Sequence, residues 1–128
     1  MAVDLTMNVL TVDDDQSMRG VLGKLLRQLN FANIDEASDG AEALRKLRQG
    51  DFGLVISDWN MAPMDGIELL REVRADAKLK DLPFIVVTAE TRSDKMMAAK
   101  EAGVSNYLVK PFNAVALKGK LVKVLGEF

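Results

Sequence analysis

The chain has 128 residues, 48% of them apolar and 28% charged, and its 17 basic and 19 acidic side chains leave a net charge of −2. That is the length of one ordinary domain, and without a basic excess there is no chain-wide attraction to nucleic acid. Cysteine and histidine are both absent, which excludes disulfides, thiolate and imidazole metal sites, and Ser-His-Asp or Cys-His catalysis. Chemistry falls to carboxylates, hydroxyls, amines and bound ions.

Residues Asn8–Val12 form a β-prone run, the expected first strand. Met18, Val21, Leu22, Leu25, Leu26 and Leu29 follow at i, i+3, i+4, i+7, i+8 and i+11, a continuous helical stripe. A weaker strand is expected at 33–37 and a short helix at 41–47, before Gly50. The third strand is expected at 53–57, then a helix near 66–74 with Ile67, Leu70 and Val73 inward. The fourth strand at 84–87 precedes a helix over about 94–102, closed by Gly103. A fifth strand at 106–109 leads to a last helix with Leu117, Leu121 and Val124 on one face. Strand and helix alternate five times, which predicts right-handed crossovers and a parallel sheet with helices on both faces. The N-terminal residues carry an acid and no basic-then-apolar pattern of a secretory signal. The longest apolar runs, such as 84–87, are four residues, against the roughly 20 that span a bilayer. A cytoplasmic protein with a single domain over 1–128 is expected.

The strand ends collect polar groups. Asp13 and Asp14 close the first strand with Asp15 directly after, Asp58 ends the third, Thr88 the fourth and Lys110 the fifth. Each has an ordinary alternative role, Asp as a helix cap above all, but together they line the edge where open α/β sheets bind ligands. Several carboxylates in one crevice repel unless a cation intervenes, and oxygen ligands alone suit Mg²⁺. A metal beside a free carboxylate, a hydroxyl and an ammonium is equipment for phosphoryl transfer to an aspartate.

Val12-Asp13-Asp14, Ser57-Asp58-Trp59-Asn60-Met61, Met64-Asp65-Gly66, Val87-Thr88-Ala89-Glu90 and Tyr107-Leu108-Val109-Lys110-Pro111-Phe112 run through the chain in register. In these motifs the chain resembles the receiver domains of response regulators, nearest to the single-domain chemotaxis regulators. The resemblance implies a flavodoxin-like (βα)5 three-layer sandwich with strand order 2-1-3-4-5. It implies that Asp58 is the phosphoacceptor and that Mg²⁺ is held by Asp13, Asp14, Asp58 and the backbone carbonyl of Asn60. Lys110 would pair with the phosphoryl group, Thr88 would move toward it, and the small Ala89 would leave the site open. Tyr107 would be the aromatic switch, Asn60 and Glu90 would set the phosphoryl lifetime, and the Lys110–Pro111 bond would be cis. A histidine kinase would be the donor and the flagellar motor switch the target of a monomeric, non-enzymatic regulator without an output domain, with a phosphatase as a further partner and no nucleic acid or membrane.

A phosphate sink or phosphorelay intermediate stays open on the same residues. Asp13-x-Asp15 also has the spacing of nucleophile and acid/base in Mg²⁺-dependent aspartate phosphohydrolases. The chain departs from the family pattern at Asp15, where a helix cap is expected, at Pro63, and at Lys100 and Gly119 on helices that face partners. At least one of Met96 and Met97 is expected in the core. From Arg92 onward there are seven basic and three acidic residues, net +4, against ten and sixteen before it, net −6. That asymmetry suggests an acidic partner on the C-terminal third.

Overall fold

A computed structural model describes residues 3–62, 64–89 and 93–128. In chain order the elements are β1 (Asn8–Val12), α1 (Gln16–Gln28), β2 (Asn33–Ala37), α2 (Gly40–Gln49), β3 (Leu54–Asp58), α3 (Gly66–Ala75), β4 (Phe84–Thr88), α4 (Ser93–Glu101), β5 (Asn106–Val109) and α5 (Ala114–Leu125). The five strands form one parallel sheet, as the alternation predicts, in the order β2-β1-β3-β4-β5, the flavodoxin-like sandwich that the resemblance implies. Among the described residues no helix is long and apolar enough to cross a membrane.

Side chains alternate across each strand, and the sheet divides its core accordingly. Val9, Leu54, Ile56, Ile85, Val87 and Leu108 face Leu22 and Leu26 of α1 and Leu117 and Leu121 of α5. Leu10, Val12, Val55, Phe84 and Val86 face α2, α3 and Ala99 of α4. Both faces are buried, so the central strands read as unbroken apolar runs.

The elements begin and end where hydrogen bonding dictates. Asp15 caps α1, its carboxylate accepting from the Ser17 N–H at 2.9 Å, so the helix starts ahead of the apolar stripe. Asp39 caps α2 through Glu42 N–H at 2.7 Å. Asp65 and Glu68 form a reciprocal capping box at the start of α3, and Asn113 caps α5. β3 runs one residue past its apolar stretch because Asp58 still pairs with Val87 and Trp59 N–H donates to the Val87 carbonyl at 2.9 Å. The phosphoacceptor candidate therefore sits inside the sheet rather than after it. The Lys110–Pro111 bond is cis.

Neither methionine of the Met96-Met97 pair joins the core. Met97 is 61% exposed and Met96 is half-buried, because Ala98, Ala99 and Ala102 supply the inner side of α4. Val21 is likewise exposed: the stripe of α1 is wider than the face the sheet covers.

Arg74, at the end of α3, ties the far end of the sheet together. Its guanidinium donates to the Gly103 carbonyl at 2.9 Å, to Lys80 at 3.1 Å and to Leu82 at 2.6 Å. It also reaches the Ser105 hydroxyl, which accepts from the Phe84 N–H. Arg74→Met keeps the apolar stem but strips these carbonyls of their donor, and should lower urea-unfolding stability by about 1–3 kcal/mol.

Candidate functional site

Four strand ends converge at the carboxyl edge of the sheet. Asp13 leaves β1 with 2% of its surface exposed, Asp58 ends β3 at 5%, and Thr88 ends β4 at 1%. Lys110 follows β5, and its N–H donates to the Thr88 carbonyl at 2.8 Å, a backbone bond that sets the lysine beside β4. Asp14 is exposed. Carboxylate oxygens of Asp13, Asp14 and Asp58 lie within 4.8 Å of one another.

The two buried acids are incompletely satisfied. Asp13 Oδ1 accepts from the Asp15 N–H at 2.9 Å, whereas buried Asp13 Oδ2 has no hydrogen-bond partner among the described residues. Lys110 Nζ lies 3.0 Å from Asp58 Oδ1, a charge contact, since that oxygen has no well-directed donor among the described residues. Burial pushes the Asp13 carboxyl up to about 6, opposed by the Asp15 N–H and reinforced by the charge of Asp58. Burial also raises Asp58, while Lys110 pulls it back. An unpartnered buried oxygen, clustered hard donors and an uncompensated negative charge together fit a small divalent cation, with Asp13, Asp14 and Asp58 as the residues to hold it.

Asn60 stands exposed two residues beyond Asp58. Ala89 is exposed at the rim. Tyr107, on β5, points outward at 36% exposure with Lys120 Nζ 4.9 Å above its ring. Beside it a groove of about 650 Å³ is lined by Met96, Met97, Lys100, Val104 and Asn106. The structure thus gathers Asp13, Asp14, Asp58 and Lys110, keeps Thr88 at the adjoining strand end and sets Tyr107 on the outer face. Glu90 and Pro63 lie outside the described residues.

Gly66 locks the floor of the site. A Cβ there would overlap the Asp58 carbonyl oxygen and press to 3.0 Å on Trp59 Cα, and Gly66 N–H donates to the Trp59 carbonyl at 2.9 Å. Trp59 itself is 7% exposed and carries Lys95 Nζ 5.0 Å over its ring. Lys95 and Arg19, which donates to the Asp13 carbonyl at 2.6 Å, went unseen in the sequence. Arg19 lies one turn past the Asp15 cap, and that position is the only local signal.

Residues 9–122 match the family model described as the response regulator receiver domain, and the chain belongs to that family. The chemotaxis protein CheY of Pseudomonas aeruginosa is 50% identical over 118 residues, covering 92% of this chain and 95% of that one. CheY-3 of Vibrio cholerae is 49% identical, covering 92% and 91%. Among solved structures, the chemotaxis response regulator CheY4 of Vibrio cholerae superposes with a TM-score of 0.87 at 37% identity, covering 94% of this chain and 99% of that one. The receiver domain of the sensor histidine kinase PA1611 of Pseudomonas aeruginosa, solved with a magnesium ion coordinated in its active site cleft, gives 0.85 at 26% identity over 95% and 99%.

Asp13 titrates near 6 when folded and near its ordinary 3.8 when unfolded. Its ionisation therefore opposes folding, and metal-free stability should fall as pH rises from about 4 through 6. Asp13→Asn should raise the metal-free stability at pH 7 by about 1–3 kcal/mol and abolish the further gain from MgCl₂. Thermal unfolding in EDTA and in MgCl₂ measures both.

Proposed function

We propose that this receiver domain accepts a phosphoryl group on Asp58 from a histidine kinase, with Mg²⁺, and thereby changes a protein-binding surface around Tyr107. The supporting observation is the buried Asp58 carboxylate with Lys110 Nζ at 3.0 Å beside an Asp13 oxygen that lacks a partner. A carboxylate oxygen of Asp58 attacks phosphorus in line, and the bond to the donor breaks with its electron pair leaving on the donor. Lys110 pairs with one of the spread phosphoryl oxygens, and the Thr88 hydroxyl donates to another. Asp13, Asp14, Asp58 and the Asn60 carbonyl would hold Mg²⁺, which supplies neutralising charge at the phosphoryl oxygens when bound. The chain acts here as a phosphoacceptor with self-catalysed transfer and loss, not as an enzyme on a separate substrate.

A chemotaxis role is supported by the names of the relatives; the flagellar motor switch as target rests on the resemblance of the motifs alone. The phosphohydrolase reading of Asp13-x-Asp15 is disfavoured because the Asp15 carboxylate is engaged by Ser17 N–H as the α1 cap.

Incubated with Mg²⁺ and acetyl phosphate, the protein should gain one phosphoryl group in intact mass and change its Trp59 emission, and Asp58→Asn should gain none. An unchanged mass under conditions that label another receiver domain refutes the assignment. Thr88→Ala should still be phosphorylated yet lose most of its phosphorylation-dependent partner affinity, since a ligand shifts an equilibrium only by what it binds better in one state. The acyl phosphate should decay in seconds to about a minute, a barrier of ~18–20 kcal/mol, and Asn60→Arg should lengthen that by screening the attacking water. Survival for hours favours the relay or sink role.

A further inference from the structure

Helices α1 and α5 share one face of the sheet, and a groove of about 450 Å³ along α5 runs beside Leu29, just past the end of α1. Its floor is Leu29, Val115, Gly119 and Val122, and Lys118 and Lys123 rim it. Asp58, Thr88 and Tyr107 do not line it. Val115 is 81% exposed, a large aliphatic residue left in water.

Gly119 is the odd residue. It stands mid-helix, where glycine is the least favourable residue after proline, and a Cβ there would meet nothing within 4 Å. Neither backbone conformation nor internal packing calls for glycine. What its presence leaves is a notch in an apolar floor.

The charge of the two helices is one-sided. α1 contributes Arg19, Lys24 and Arg27, α5 contributes Lys118, Lys120 and Lys123, and neither helix contains an acidic residue, on a chain with an acidic excess. Arg19 is paired with Glu36, Lys120 covers Tyr107 and Lys118 leans on Phe128. Among the described residues Lys24, Arg27 and Lys123 have no ion pair. A second copy docked symmetrically would set these cations against one another. An apolar, notched groove lined also by Lys118 and Lys123 instead suits a helix with an apolar stripe and carboxylates on its shoulders.

We propose that the groove between α1 and α5 docks an acidic amphipathic helix of a partner protein, whatever the phosphoryl state of Asp58. The surface is separate from the one around Tyr107: on α5 the groove takes Lys118 and Lys123, whereas Lys120 covers the tyrosine. The protein then has one permanent anchor and one conditional contact.

The test is a titration of amide resonances with a synthetic helix of about 18 residues, five turns, with leucines on one stripe and glutamates flanking it. Shifts should cluster at Leu29, Val115, Gly119 and Val122, and affinity should change less than about twofold with Mg²⁺ and acetyl phosphate, a difference well under the tenfold that 1.4 kcal/mol represents. Gly119→Leu, which fills the notch, should weaken binding about tenfold or more while raising the melting temperature. Gly119→Ala should raise the melting temperature and keep most of the binding. Lys118→Glu with Lys123→Glu should also weaken binding about tenfold. Equal binding of the same peptide with lysine for glutamate, shifts centred on β5, association with phosphatidylglycerol vesicles but not with the peptide, or a dimer that buries the groove would each overturn the proposal.

Discussion

Two carboxylates taken out of water at the end of a parallel sheet set the terms for what surrounds them. Asp13 and Asp58 are almost fully buried, and burying a charge is costly unless a partner compensates it. The compensation is assembled from several strands: Lys110 comes from beyond β5, the Asp15 N–H from the turn into α1, and among the described residues no hydrogen bond reaches the second oxygen of Asp13. The strand order follows the same requirement. With β1 and β3 adjacent, and β4 and β5 next in line, three acids, a hydroxyl and an ammonium share one edge, although Lys110 lies 97 positions beyond Asp13. The clustered carboxylates leave the edge able to hold a cation.

The fold was largely legible because its strands are short apolar runs punctuated by Asp, Asn and Gly. The strand boundaries at β1 and β5 coincide with those runs, β2 matches the weaker strand expected at 33–37, and the carboxyl ends of β1, β3, β4 and β5 carry the polar residues that the alternation places together. Where the reading slipped, a hydrogen bond between distant segments decided. β3 continues to Asp58 because Val87 lies opposite it, which the apolar pattern cannot display. The methionines of α4 look like core residues in sequence, yet the alanines pack inward, so side-chain size misleads where the helix lies close to the sheet. Arg19, Arg74 and Lys95 escaped notice for one reason: each acts on a group that only the folded chain brings near.

The basic excess counted in the C-terminal third is redistributed by the fold. Its α5 lysines stand on a helix that packs beside α1, from the opposite end of the chain, on the same face of the sheet, while Lys110 is drawn inward to Asp58 and Lys95 to Trp59. A sequence tally of charge therefore names the sign of a surface better than its place. Lys120 and Lys118, two positions apart, cover Tyr107 and Phe128 respectively, so one helix presents different chemistry to two sides.

The fit of Gly66 against the Asp58 backbone gives the domain a stiff side and a compliant one. The carbonyl of Asp58 and the start of α3 are in contact with no space for a methyl group, and the capping box fixes that helix end in turn. A force applied at the Asp58 carboxylate meets a wall in that direction. Across the site, Tyr107 stands in solvent under a single cation, and the alanine face of α4 offers few large side chains to interlock. The backbone of Asp58 is thus packed tightly against the start of α3, while on the outer face Tyr107 stays open to solvent.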